Sequence, residues 1–114
     1  MANQMLKNIE AGKAMDMAAL VAYQEGQIVS RTLTQNTAVS ITLFAFDQGE
    51  EISTHESRGD ALVYVLDGEA AITIGETAHA VKAGQSIVMP ANIAHAVKAA
   101  GRFKMLLVVV FPGR

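Results

Sequence analysis

The side chains able to do chemistry in this chain are few: three histidines, eleven Asp and Glu, and no cysteine. A thiolate metal site, a disulfide framework and a cysteine nucleophile are therefore excluded. The densest group of reactive types lies in THESRGDALVYVLDG, Thr54 to Gly68, where His55, Ser57, Arg58 and Asp60 follow one another closely. Imidazole with carboxylate is the donor set of a transition metal, whereas imidazole with hydroxyl suits the orientation of a small polar ligand. A Ser-His nucleophile is not supported, because residues i and i+2 on a strand project side by side and a third group must orient them. The glycines are isolated turn residues, so neither a phosphate-binding loop nor a dinucleotide fingerprint is present, and no nucleophile elbow occurs.

The elements that must position these groups read as strands. QIVSRTL (27–33) and TAVSITLFAF (37–46) alternate apolar and polar residues around the turn-prone Thr34-Gln35-Asn36 and predict a hairpin. ALVYVL (61–66) and EAAITI (69–74) flank Asp67-Gly68, a strong signal for a second hairpin. Further short strands are expected at 78–82, 86–89 and 95–98, and a long apolar one at 103–111. The one helical candidate is MDMAALVAY, Met15 to Tyr23, a turn or two in length. Short strands punctuated by turns indicate an all-β sandwich or barrel. Residues 1–36 read as N-terminal strands and a short helical turn of the same domain, and 37–114 as its barrel core.

Bulk properties agree with one domain. A chain of 114 residues supports one core, and with 51% apolar but only 5% aromatic residues that core must be built from aliphatic side chains and methionine. The formal charge of −2 is scattered without a basic run, which excludes nucleic acid and anionic membrane as expected partners. Lys7, Glu10, Lys13 and Asp16 interrupt the N-terminal apolar residues, so no signal sequence is expected and the cytoplasm is the expected compartment. FKMLLVVVF (103–111) lacks polar alternation beyond Lys104, so both its faces should be covered: one by the core, the other by a second copy in a twofold homodimer or by a further layer of the same chain.

Two spacings go further. Gly49 is followed by five residues and His55, and the frame closes at Gly68; Gly84, Pro90 and His95 form a second frame. In these the chain resembles the cupin family, small double-stranded β-helix jelly-roll barrels, across Gly49 to Ala99. The resemblance implies a single-domain all-β cupin barrel with His55 and His95 at family ligand positions. At the family's second histidine position stands Ser57, and at its glutamate position Ala61; Asn92 replaces a glycine and Ala99 an asparagine.

The resemblance also implies what such a barrel could hold. A divalent transition metal would be bound weakly by His55 and His95 alone, since Ser57 is a poor ligand and Ala61 none. Asp60 becomes a third ligand only if a bulge at Ser57-Arg58-Gly59 swings it inward; otherwise it satisfies backbone N–H groups at a turn or pairs with Arg58. Strand alternation sends Glu56 away from His55, and His79 is expected on an outward-facing surface position. The favoured expectation is a small-molecule pocket marked by His55, Ser57 and His95, walled by Val63 and Met89, with Val65 and Phe44 or Phe46 as further candidates, for a polar or carbohydrate-like ligand. The alternatives are a metal-dependent oxygenase, isomerase or lyase, and a structural or regulatory module with a vestigial pocket that works through strand 103–111.

Overall fold

A computed structural model describes residues 4–113 as a 3-10 turn and eight strands. The strands are β1 (Ile28–Gln35), β2 (Val39–Phe46), β3 (Glu51–His55), β4 (Asp60–Ile74), β5 (Thr77–Lys82), β6 (Ser86–Met89), β7 (His95–Lys98) and β8 (Phe103–Val110). All pairings are antiparallel, and they form two curled sheets that share β4: β1-β2-β8-β4-β6 and β3-β7-β4-β5. This is the expected all-β jelly roll. No helix among the described residues is long and apolar enough to cross a membrane.

The second expected hairpin is not one. β4 runs unbroken through Asp67-Gly68, with its N-terminal half paired to β6 and β8 and its C-terminal half to β5 and β7. The register shifts between Val65 and Asp67, and Gly68 takes φ +73. A Cβ on Gly68 would stand 2.2 Å from the Arg102 carbonyl oxygen, so the bend needs glycine for both its dihedral and its clearance. An Asp-Gly pair that suits a tight turn equally suits a bulge that re-aims one strand into a second sheet.

Inside the barrel, Ala61, Val63 and Val65 of β4, Phe46 of β2, Val97 of β7 and Met105 of β8 belong to one buried cluster. Phe46 and Phe103 stack at 4.5 Å between ring centroids. Outside it, the N-terminal segment lays Ile9, Met17, Leu20, Val21 and Tyr23 over the outer face of the first sheet, against Leu33, Leu43, Ala45 and Leu106. The helical candidate shrinks to a single turn, Met17–Leu20, capped by Asp16, whose Oδ1 accepts from the Ala18 N–H at 3.2 Å. The bonds that pin this segment include Lys7 N–H to the Leu33 carbonyl at 2.6 Å, Asn8 Nδ2 to the Thr32 carbonyl at 2.8 Å, Tyr23 Oη to Asp67 Oδ2 at 2.5 Å and Lys104 Nζ to the Ala18 carbonyl at 2.7 Å, the first-named group donating in each. Burial and then the bond to Asp67 hold the Tyr23 phenol well above its ordinary range.

β8 is an interior strand, paired to β2 on one edge and β4 on the other. Its inner face carries Phe103, Met105, Leu107 and Val109 to the core; its outer face meets the N-terminal segment at Leu106 and ends exposed at Val110.

Candidate functional site

His55 is the last residue of β3 and His95 the first of β7, and their Cα atoms are register partners. Directly opposed residues of an antiparallel pair point to the same face. The rings meet edge-on, with centroids 4.3 Å apart, an interplanar angle of 74° and Nε2 atoms 3.1 Å apart. His95 is buried at 2% exposure, whereas His55 reaches solvent at the mouth.

The other ring nitrogens decide the tautomers. Nδ1 of His55 lies 2.8 Å from the Ser53 carbonyl oxygen, and Nδ1 of His95 lies 3.1 Å from that of Ile93. A carbonyl oxygen only accepts, so both Nδ1 atoms donate, and each neutral ring presents a bare Nε2 lone pair to the other. At 3.1 Å two lone pairs repel unless an electropositive centre lies between them or beside both: a proton, a donor hydrogen or a cation. Burial, and next the neighbouring His55, hold the His95 imidazole below its ordinary basicity; its bond to Ile93 and the Glu56 carboxylate oppose this.

A cavity of about 270 Å³ opens beneath the pair. Its polar rim is His55, Glu56, Ser57 and His95, and its walls are apolar, with Met89 and Met105 among them. Ser57 Oγ accepts from the Gly59 N–H at 3.2 Å, leaving its hydroxyl hydrogen to point elsewhere, and the Ser57 carbonyl accepts from the Asn92 N–H at 2.8 Å. Asn92 sits at φ +64, the left-handed conformation that a glycine at this place would also take and that Asn tolerates better than most side chains.

The structure thus brings His55, Ser57, His95 and Met89 to one cavity. Val63 does not line it: two residues beyond Ala61 along β4, it is fully buried in the core. Val65, Phe44 and Phe46 likewise pack in that core and not on the cavity wall. Asp60 is engaged elsewhere, its Oδ1 accepting the Ala91 N–H at 2.8 Å. Glu56 corrects the alternation argument, because β3 ends at His55 and the next residue is free of the strand's period. His79 also departs from expectation: it pairs with the core residue Ile72 on the inward side of β5 and is half-buried, yet it lies outside the cavity lining. Met105, Leu107 and Val109, absent from the expected wall, reach the cavity from one face of β8. Their odd-numbered spacing was the available signal, hidden in a run whose even-numbered positions beyond Lys104 are apolar as well.

The family's metal chemistry can be tested against this donor set. Protein sites that hold a transition ion offer at least three converging ligands. Here two imidazole nitrogens converge, Ala61 occupies the carboxylate position, and among the described residues no three His, Cys, Asp or Glu side chains gather to hold a metal. The residues present do not fit a resident ion.

Comparison with known proteins agrees with the fold. The family model for the cupin domain matches residues 42–111. A conserved protein of unknown function from Streptococcus pyogenes superposes with a TM-score of 0.97 at 46% identity, covering 100% of both chains. A cupin superfamily protein from Desulfitobacterium hafniense gives 0.89 at 36% identity over 94% of this chain and 98% of its own. A cupin 2 conserved barrel domain protein from Leptotrichia buccalis gives 0.82 at 44% identity, with 84% of this chain matching 47% of that one.

Proposed function

The chain belongs to the cupin family, and from that premise we propose that it is a small-molecule-binding barrel whose ligand carries one hydrogen-bond donor on a mostly apolar body. The observation that carries this reading is the pair of anchored histidines, with both Nδ1 atoms spent on backbone carbonyls and both Nε2 atoms 3.1 Å apart at the cavity. A hydroxyl sharing its hydrogen between the two nitrogens, or an amine giving one hydrogen to each, about 2.9 Å from both, completes a triangle with them and sets an electropositive hydrogen beside the lone pairs. The cavity of about 270 Å³ equals the liquid volume of roughly nine waters, so the ligand is small.

The walls narrow the class. Ile52, Ala61, Met89, Val97, Met105, Leu107 and Val109 offer no side-chain hydrogen bond beyond weak thioether acceptors. A sugar would bury several hydroxyls without partners, at a cost of about 1–3 kcal/mol each, so a molecule with a single polar head is the better match than a carbohydrate. A metal-dependent reaction through His55 and His95 lacks its third ligand, and Asp60 is held away by Ala91. The vestigial-pocket reading leaves unexplained why both rings are held with their Nε2 atoms at an apolar cavity.

Titration of methyl- and imidazole-labelled protein with n-hexanol and with n-hexane, followed by NMR, tests the reading. The alcohol should move the Nε2 resonances of both histidines and the methyls of Met89 and Met105, and His95→Ala should abolish the histidine-dependent advantage over the alkane. Equal binding of alcohol and alkane, or no response of the two methionines, would overturn it.

A further inference from the structure

The polar groups around the cavity are unbalanced in what they offer a ligand. His55 and His95 turn bare Nε2 lone pairs toward it, because each Nδ1 is already bound to a backbone carbonyl. Glu56, the next residue on the rim, adds a carboxylate, which only accepts. The ion pairs among the described residues join Lys13 to Glu10 and Arg102 to Asp47, so the Glu56 charge has no fixed counterion there. Among the described residues no lysine or arginine lines the cavity, and Arg58, the basic residue nearest in sequence, is turned to the Phe111 ring, 5.7 Å from its centroid. The Ser57 hydroxyl is the one lining side chain with a hydrogen left to give.

Such a rim selects among polar heads. A carboxylate or phosphate would bring a second negative charge to a place with one hydroxyl hydrogen to receive it. A hydroxyl has a single hydrogen and must share it between two imidazoles. A quaternary ammonium carries charge but no hydrogen, and no Phe, Tyr or Trp lines the cavity to hold it by a ring face. A primary ammonium has both the charge and three hydrogens, and hydrogen bonds from a charged donor are about twice as strong as neutral ones.

We infer that the ligand is a short primary alkylamine, bound as its ammonium ion, whose N–H groups go to His55 Nε2, His95 Nε2 and the Glu56 carboxylate and whose apolar tail lies between Met89, Met105 and Leu107. This rests on the small-molecule reading of the same cavity proposed above and narrows its head group to one. The cation stands beside both lone pairs at once, supplying the electropositive centre that their 3.1 Å separation calls for. Alkylamines titrate as the lysine side chain does, at about 10.4, so the ammonium is the form present at neutral pH. Its burial is partial: His55 and Glu56 are exposed, so the head keeps contact with water at the mouth while the tail alone goes dry.

NMR titration of the methionine-methyl-labelled full chain at neutral pH tests this, with n-hexylammonium, n-hexyltrimethylammonium, n-hexanol and n-hexane as probes. The primary ammonium should bind at least about tenfold more tightly than either the alcohol or the trimethylated cation. Glu56→Gln, a change of charge without change of size at an exposed position, should cut its lead over the alcohol to less than about threefold. A primary ammonium that binds no more tightly than n-hexanol, a trimethylated cation that binds equally well, or a lead undiminished in the folded Glu56→Gln variant would each overturn the inference. In those cases n-hexanol that still outbinds n-hexane leaves the small-molecule reading standing, whereas if neither the alcohol nor the ammonium outbinds the alkane, both fall together.

Discussion

His95 and His55 close the mouth of the barrel as a register pair, with Nε2 atoms 3.1 Å apart and each Nδ1 tied to the carbonyl two residues before its own ring. Each ring is thus oriented by its own strand before any ligand arrives. Such preorganisation lowers the ordering cost of binding.

The His95 imidazole gives stability a pH dependence of definite sign. Its folded-state pKa lies below the ordinary 6.5, chiefly through burial. Stability from its neutral form is therefore complete above pH 6.5 and is lost as pH falls from there toward the depressed folded value, because the unfolded chain takes up the proton first. Urea midpoints measured between pH 8 and pH 5 should fall on acidification, and His95→Gln should flatten the slope over that interval. An unchanged slope in the variant would assign the acid sensitivity elsewhere.

Restoring the carboxylate should restore metal affinity. Ala61 is 2% exposed, lies on the cavity wall and is backed by Met89 and Val109 across β4. Ala61→Glu would place a third donor beside the imidazoles. Elemental analysis after chelator-free gel filtration should find zinc or cobalt well below stoichiometry in the wild type and near it in the variant. Affinity should rise at least about a hundredfold, since loss of an outer-shell partner alone costs about 10–100-fold. Stoichiometric metal in the wild type would mean that a third ligand is recruited when an ion arrives.

Two glycines of similar dihedral separate conformational strain from collision. Gly49 and Gly68 take φ +87 and +73, but a Cβ at Gly49 meets nothing within 4 Å, while at Gly68 it meets the Arg102 carbonyl oxygen at 2.2 Å. Gly49→Ala should cost about 1 kcal/mol and Gly68→Ala at least about 3 kcal/mol in chemical denaturation. Equal costs would show that the β4 bend relaxes freely.

The surface pair Asp47 and Arg102 gives a second titration. Arg102 Nε donates to Asp47 Oδ1 at 2.8 Å and the Gly26 N–H donates to Oδ2 at 2.6 Å. Arg102 first, then the backbone donors of Gly26 and Gln48, lowers the Asp47 carboxyl from 3.8 to about 2. Its contribution to stability is present above pH 3.8 and is lost as pH falls through about 2. In Arg102→Met, carboxyl-carbon NMR should show the Asp47 midpoint moving back toward the ordinary value; a midpoint that stayed near 2 would assign the effect to the backbone donors alone.

Much of this was legible in residue order. Alternation exposed the first hairpin, and the two glycine frames located His55 and His95, which β3 and β7 then bring together. Local pattern failed where long-range contact decides the outcome. Asp67-Gly68 reads as a turn until the Arg102–Phe103 backbone is known to lie against it. Glu56 reads as outward until β3 is known to stop one residue earlier. Val63 and Ala61 share a face, yet only Ala61 reaches the cavity, because depth along a strand leaves no trace in its alternation. The outer cover by Met17, Leu20 and Tyr23 was hidden for a similar reason: a four-residue turn carries too little periodicity to declare which sheet it lies upon.

The strand that bends at Gly68 has a consequence for how the protein comes apart. β4 is an interior strand in both sheets, so neither sheet can peel away while the other persists without taking half of β4 with it. Separate opening units usually coincide with separable pieces of structure. Here the joint is covalent and central, and the slowest-exchanging amides of the two sheets should report one common opening free energy, making the barrel a single cooperative unit despite its two layers.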